Sequence, residues 1–336
     1  MRTISREQLE LIDALVAEAD LGGLSAAILE KDIHVSDTLQ ALASLSHKNI
    51  RLVFCGGTSL SKAHRLISRM SEDIDLKVAL APDHGLSQHQ LKKRLSALKQ
   101  QVVDCMKGLG FVEVPKEAIA RNANRYFASG WLYRQQYAAN TTLRPHLKLE
   151  FTTRTPCFAT SERSLGYLAH QSAGKDTAEF TMTCVAVEET LAEKVLSFLR
   201  RFAEHRAGKR GDWDDALVRH IYDTWCIVKA DGAAVDLAIR HFNDLVAFDQ
   251  DEFTLHAEFC ANPAECLGEA LEAIGDDQQT IDEYGTKLVP LIYGNDRPSF
   301  GEAFGVFKTV ARTFLRTIPS TKPPPCPVSP VCGPPH

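Results

Sequence analysis

The stretch Phe54-Cys55-Gly56-Gly57-Thr58-Ser59, followed after a spacer by Ser71-Glu72-Asp73-Ile74-Asp75-Leu76, decides how this 336-residue chain folds. Ile50 to Phe54 is a short β-prone run, and two glycines stop it. A glycine pair lets the backbone turn sharply and approach a ligand closely. Thr58 and Ser59 bring hydroxyls, and a helix expected over Ser59–Met70 brings backbone N–H groups at its start. Together these can cradle an anionic phosphate. Ile74, Leu76 and Val78 then alternate as in a strand. On a strand, Asp73 and Asp75 point to the same face. Two carboxylates side by side repel unless a cation lies between them, and Mg²⁺ takes oxygen ligands that it shares with substrate phosphates.

A third carboxylate is available farther along. His146-Leu147-Lys148-Leu149-Glu150-Phe151 alternates like a strand and sets Lys148 and Glu150 on the face opposite Leu147, Leu149 and Phe151. If this strand lies beside the one holding Asp73, Glu150 completes a cluster of three acids that can hold two Mg²⁺ ions. A salt bridge from Glu150 to Lys148 or Arg154 is the alternative.

Outward from these motifs the chain divides by pattern. Residues 1–20 and 29–46 have helical spacing, with Ile33, Leu39, Leu42 and Leu45 recurring on one side. Residues 87–109 look helical again. Between 111 and 160, the runs RYFASGWLYRQQY and HLKLEFTTR are rich in aromatic and β-branched residues and look like strands. From about residue 184 onward most of the chain looks helical, including EETLAEKVLSFLRRF and ALVRHIYDTWCIV. The expected fold is α/β: a mixed-sheet lobe with N-terminal helices over 1–183, then a mainly α-helical lobe over 184–318. Residues 319–336 hold eight of the fifteen prolines. Such a segment cannot form helix or central strand and is expected to be a disordered tail or extended arm.

Composition is that of an ordinary globular protein, 44% apolar and 24% charged. No apolar run approaches the roughly 18–20 residues that span a bilayer. The N-terminus mixes acids into an amphipathic helix and lacks the form of a signal peptide, so a cytoplasmic location without membrane contact is expected. Nine scattered cysteines with no CxxC pair fit reduced thiols. A net charge of −5 argues against a general nucleic-acid coat protein. It leaves room for a local basic stretch from Lys194 to Arg210, which is either an RNA-backbone surface or a solvated helix face.

The block GGTSLSKAHRLISRMSEDIDL closely resembles the signature of the AbiEii/AbiGii-type nucleotidyltransferase toxins, within the DNA polymerase beta-like superfamily. Glu30-Lys31-Asp32 resembles that family's upstream stretch. Lys194 looks like its lysine after the sheet, and Asp223, in Arg219-His220-Ile221-Tyr222-Asp223, looks like the acid of its helical motif. The resemblance covers about residues 30 to 230. It implies attack by an acceptor hydroxyl on the α-phosphate of an NTP, with pyrophosphate released. Asp73 and Asp75 would bind Mg²⁺, and Gly56, Gly57, Thr58, Ser59 and Lys62 would hold phosphates. Lys194, at the edge of the apolar stripe Leu191-Val195-Phe198, would neutralise the triphosphate or else be a surface lysine. Asp223 would position Lys194 or the acceptor, or else form a structural ion pair with Lys194 or Arg219. His220 is read as a packed or exposed histidine.

The resemblance further implies a growth-arresting toxin of a toxin–antitoxin or abortive-infection system. The acceptor end of tRNA is its expected acceptor, and an antitoxin encoded nearby its expected partner. Two other functions compete with it: a nucleotidyltransferase acting on a protein or small molecule, and a nucleotide-binding regulatory module.

Overall fold

The computed structural model describes the chain apart from residues 19–20, 47, 82–83, 139–141, 176–177, 210–212 and 320–336. The proline-rich end therefore lies outside the described residues from residue 320 onward. Seven strands alternate with helices in the first half: β1 (Ile50–Cys55), β2 (Asp73–Leu80), β3 (Val112–Arg121), β4 (Tyr126–Leu132), β5 (His146–Thr152), β6 (Ser161–Leu165) and β7 (Phe180–Cys184). They form one mixed sheet in the order β3-β4-β5-β2-β1-β7-β6. Strand β2 runs antiparallel to β1 and parallel to β5. The register sets Asp75 opposite Cys55 on one side and opposite Glu150 on the other.

The period-two pattern of these strands gives the sheet two unlike faces. Ile74, Leu76 and Val78 of β2, Leu147, Leu149 and Phe151 of β5, and Phe127 and Trp131 of β4 are buried in one apolar core. Leu39 of helix α2 (Ala26–Ala43) and Leu95, Leu98 and Val102 of helix α4 (Gln88–Gly108) join the same core, while α1 (Arg6–Glu18) packs on α2 through Ile12, Leu15, Leu29 and Ile33. Asp73 and Asp75 of β2 and Lys148 and Glu150 of β5 occupy the alternate positions, which face away from that core.

Two expected elements end earlier than their residue patterns suggest. The helix after β1, α3 (Gly56–Lys62), starts at the first glycine and stops at Lys62 instead of running to Met70. Arg65 has φ 55°, a left-handed conformation that ends the helix. The chain then pairs with a distant segment: Met70 donates to the Leu291 carbonyl at 2.8 Å, and Tyr293 donates to the Ser68 carbonyl at 2.8 Å. Strand β4 ends at Leu132 because the backbone N–H of Gln136 turns to Glu30, donating to it at 2.8 Å.

The second half is helical. A short α5 (Leu168–Ser172) precedes β7, and α6 (Val187–Arg206) follows it. Then come α7 (Arg219–Ala230), α8 (Ala234–Ala238), α9 (Phe242–Glu252), α10 (Ala257–Ala261), α11 (Pro263–Ile274), α12 (Gln278–Glu283) and α13 (Phe300–Leu315). Phe198, Phe202, Ile221, Tyr222, Phe242, Leu271, Phe307 and Phe314 fill their common core, and Leu60 of α3 joins it. Among the described residues, no helix is long and apolar enough to cross a membrane.

Helix α6 is tied to the sheet by charge as well as by packing. Lys77 of β2 is buried and donates to Glu189, and it donates to Glu193 at 2.7 Å. Glu189 also accepts from the Phe158 backbone at 3.0 Å. Removing one partner of a buried ion pair strands the other. We therefore expect Lys77→Ala to cost about 3–5 kcal/mol of unfolding free energy, measured by urea denaturation, with Lys77→Met equally harmful. A loss within experimental error for both would show that these buried carboxylates need no cation.

Candidate active site

Why does the chain place two glycines where it does? Gly56 has φ +75°, and a Cβ there would lie 2.2 Å from Asp75 Oδ2. A Cβ at Gly57 would lie 2.7 Å from Arg69 Nη2 and 3.0 Å from Ser71 Oγ. The first glycine thus admits the Asp75 carboxylate, and the second admits a buried arginine. The two hydroxyls that follow are turned inward, which corrects their expected part in a phosphate cradle. Thr58 is buried, donates to the Asp73 carbonyl and lies 2.9 Å from Ser71 Oγ. Ser59 is fully buried. Its neighbours hold the loop to β2, so what α3 still offers a ligand is backbone: Cys55 gives its first turn no side-chain cap.

Asp73, Asp75 and Glu150 come together as the strand patterns imply, with Asp73 beside Lys148 and Asp75 beside Glu150 across β2 and β5. Each acid is compensated differently. Asp73 is paired with Arg144, and Arg219 lies 4.0 Å from its second oxygen. Glu150 is paired with Lys148, the salt bridge anticipated as its alternative role. Among the described residues, Asp75 has no such partner. Burial, then the charges of Glu150 and Asp73, push its carboxyl up to about 8. Lys148 and Lys194 oppose that shift, which puts both ammonium groups within electrostatic reach of Asp75.

Lys194 and Asp223 also meet. Lys194 Nζ is 2.6 Å from Asp223 Oδ2, and both residues are buried. Arg69 completes the group with a two-pronged bond: Nε donates to Asp223 Oδ1 at 2.7 Å and Nη2 donates to Oδ2 at 2.6 Å. Burial alone would raise the Asp223 carboxyl, but Arg69 and Lys194 hold it well below the usual carboxylate range. Arg69, not Arg219, is therefore the arginine that Asp223 requires. Arg219 turns to Glu72 at 3.5 Å instead. His220 Nδ1 lies 3.0 Å from the Lys194 carbonyl, and burial drives that ring strongly toward its neutral form.

Two other expectations are corrected. Lys62 does not point to the acids; its ammonium is buried and donates to Asp32 at 2.6 Å. Much of the basic stretch 194–210 is paired with acids. Besides Lys194, Arg200 is buried and donates to Asp249 at 3.0 Å, Arg201 pairs with Asp214, and the exposed Lys209 pairs with Glu258, while Arg206 is exposed. Arg210 lies outside the described residues. The separate cavity of about 230 Å³ between His64, Arg163, Glu188 and Asp231 is lined by none of the site residues.

The donor set suits a divalent cation only in part. Among the described residues, no three Asp, Glu, His or Cys side chains converge as a ready-made metal cage. Mg²⁺, however, is commonly held by one or two carboxylates plus substrate phosphates. Asp73 and Asp75 meet that requirement, and a cation would offset both the burial and the neighbouring negative charges that raise the Asp75 carboxyl.

A turn shaped to admit Asp75, set against two acid-bearing strands, is the arrangement of a nucleotidyltransferase. The chain belongs to the AbiEii nucleotidyl transferase toxin family of type IV toxin–antitoxin systems, whose model matches residues 37–306. It is thus a toxin nucleotidyltransferase of such a system, and the family implies an antitoxin as its partner. No curated protein matches it. Among solved structures it is similar to MenT4, a nucleotidyltransferase toxin from Mycobacterium tuberculosis H37Rv, at 21% identity over 66% of this chain and 71% of that chain, with a TM-score of 0.38. It is also similar to JHP933 from Helicobacter pylori, at 15% identity over 86% of this chain and 94% of that chain, with a TM-score of 0.39.

Arg69, Arg144, Arg219 and Glu72 are site residues that the sequence reading did not assign to these roles. The nearest signal was the need of a buried Asp223 for a cationic partner.

Asp75 has a testable pH signature. Its folded carboxyl lies above its ordinary value, so between about pH 4 and 8 the folded state binds more protons than the unfolded one, and stability falls as pH rises. Asp75→Asn removes that penalty. Its Tm should exceed that of the unsubstituted protein by about 2–4 °C at pH 8 without added metal, and the difference should shrink steadily toward pH 5. Gly56→Ala should have the opposite effect, costing about 1–3 kcal/mol in denaturant titration. A Gly56→Ala protein as stable as the parent would mean that Asp75 does not need this space.

Proposed function

We propose that this toxin transfers a nucleoside monophosphate from an NTP to an acceptor hydroxyl in a Mg²⁺-dependent reaction, with the acceptor end of tRNA as acceptor and arrest of translation as the outcome. The observation that carries the proposal is the register of β2 and β5. It sets Asp73, Asp75 and Glu150 side by side and leaves Asp75 with no cation of its own.

Asp73 and Asp75 would hold Mg²⁺, with Glu150 available beside them for a second ion. Bound there, the metal would polarise the reacting oxygens and offset charge on the triphosphate. The chain's own groups do the rest. First-turn N–H groups of α3 face the phosphates at Gly56 and Gly57. Lys194, fixed from behind by Asp223 and Arg69, presents a positive charge toward pyrophosphate as the Pα–O bond to it breaks. The acceptor oxygen bonds to Pα, and its proton passes to a carboxylate of the site.

The tRNA acceptor rests on the family resemblance. The pairing of Arg200, Arg201 and Lys209 with acids weakens the basic stretch as its support, so protein and small-molecule acceptors stay in the test. A cytoplasmic setting follows from the same reading, since NTPs, tRNA and an antitoxin meet there.

Purified protein incubated with Mg²⁺, total tRNA and each α-labelled NTP in turn should transfer label with one nucleotide or a few. Asp75→Ala should abolish the transfer, and Lys194→Ala should lower kcat/KM roughly 10²-fold. Label on total protein but not on RNA would move the acceptor class. Transfer that survives Asp75→Ala would remove the proposed site.

A further inference from the structure

Arg144 is held at the acids with more structure than a surface ion pair requires. Its side chain pairs with Asp73 and is about one-third exposed. Its main chain is fixed on both sides by a buried ion pair. The Arg144 N–H donates to Glu72 Oε2 at 2.8 Å, and its carbonyl accepts from Lys31, which itself pairs with Glu72. Lys31 and Glu72 are almost wholly buried. Burying two charges is costly unless geometry and hydrogen bonds compensate. Here the compensation includes anchoring Arg144 next to the first residue of β2. The pivot is therefore rigid while the guanidinium, on a long side chain, can turn.

The place it occupies is contested. A divalent cation taken up by Asp73 would lie against the guanidinium on the same carboxylate, and like charges at that separation repel. Arg219, 14% exposed and shared with Glu72, is confined on its helix. Arg144 is the group that can yield. Once it leaves Asp73, a flat guanidinium at the rim of the site faces whatever anion accompanies the metal, and it binds phosphate oxygens two at a time.

We propose that Arg144 is a polyphosphate-binding residue that occupies Asp73 in place of the metal until metal and nucleotide enter together. This rests on the nucleotidyltransferase reading above and adds how its site loads. The metal alone competes with Arg144, whereas the metal–nucleoside triphosphate complex replaces the lost ion pair with a new one. Metal and nucleotide binding are then positively coupled, and the coupling passes through one side chain.

Mn²⁺ binding, followed by electron paramagnetic resonance, tests this without turnover. Mn²⁺ would be titrated alone and with each of the four α,β-methylene NTP analogues, into the unsubstituted protein, Arg144→Ala and Arg144→Lys. The unsubstituted protein should bind Mn²⁺ about 5-fold or more tightly with the right analogue. Arg144→Ala should bind Mn²⁺ alone several-fold more tightly than the parent, bind the analogue more weakly, and lose most of the coupling. Mn²⁺ should also raise its Tm more than it raises the parent's, which guards against a merely misfolded variant. Arg144→Lys should fall between. If the parent shows coupling and Arg144→Ala binds Mn²⁺ no more tightly than it does, Arg144 does not compete for Asp73 and this proposal is overturned. If the parent binds Mn²⁺ with none of the analogues, the metal–nucleotide reading fails, and the proposal fails with it.

Discussion

Three carboxylates that would rather be apart organise this molecule. Parallel pairing of β2 with β5 fixes Asp75 beside Glu150, and the two-residue period of β2 fixes Asp73 on the same face. Neither can retreat, because the opposite face of both strands is committed to the core through Ile74, Leu76, Leu149 and Phe151. A one-residue slip would bury the acids and expose the apolar set. The repulsion is thus held in place by hydrophobic burial and met locally by Arg144 and Lys148, while burial and the neighbouring acids push the Asp75 carboxyl up.

Around this cluster the chain has built a shell of buried charge. Three consecutive residues of α2 reach four different segments: Glu30 takes the Gln136 and Tyr137 backbone, Lys31 takes Glu72, and Asp32 takes Lys62 and the Leu168 backbone. Lys77 holds α6 to the sheet through Glu189 and Glu193, and Arg69 crosses under Gly57 to hold α7 through Asp223. Such pairs add little net stability compared with apolar packing, but breaking one is expensive. They fix which helix sits where, and so place Lys194 opposite the acids. Glu30-Lys31-Asp32 acts here as the rear support of the acid-bearing strands.

The short α3 shows how a local preference yields to a distant partner. Residues 59–70 have a sequence that could continue as helix, yet the chain leaves helix after Lys62, turns through left-handed Arg65 and aligns with residues 291–293. Only an open path lets Arg69 turn inward to Asp223. The region after residue 235, which carries no recognisable motif, thereby takes part in shaping the glycine turn, with Leu291 and Tyr293 closing the backbone hydrogen bonds of Ser68 and Met70.

By itself the sequence determined the alternation of β2 and β5, the stop at Gly56-Gly57, the helical second half and, through its ordered motifs, the family. Those features depend on neighbours two to four residues apart, and local spacing encodes them. The tertiary structure decided the partners of the buried charges. Arg69 finds Asp223 across 154 positions, and Arg144 finds Asp73 across 71. It also turned Thr58, Ser59 and Lys62 inward, away from the role their spacing suggested. A charged side chain carries no mark of which opposite charge it will meet. That choice is made when packing removes water from around it and leaves one partner within reach.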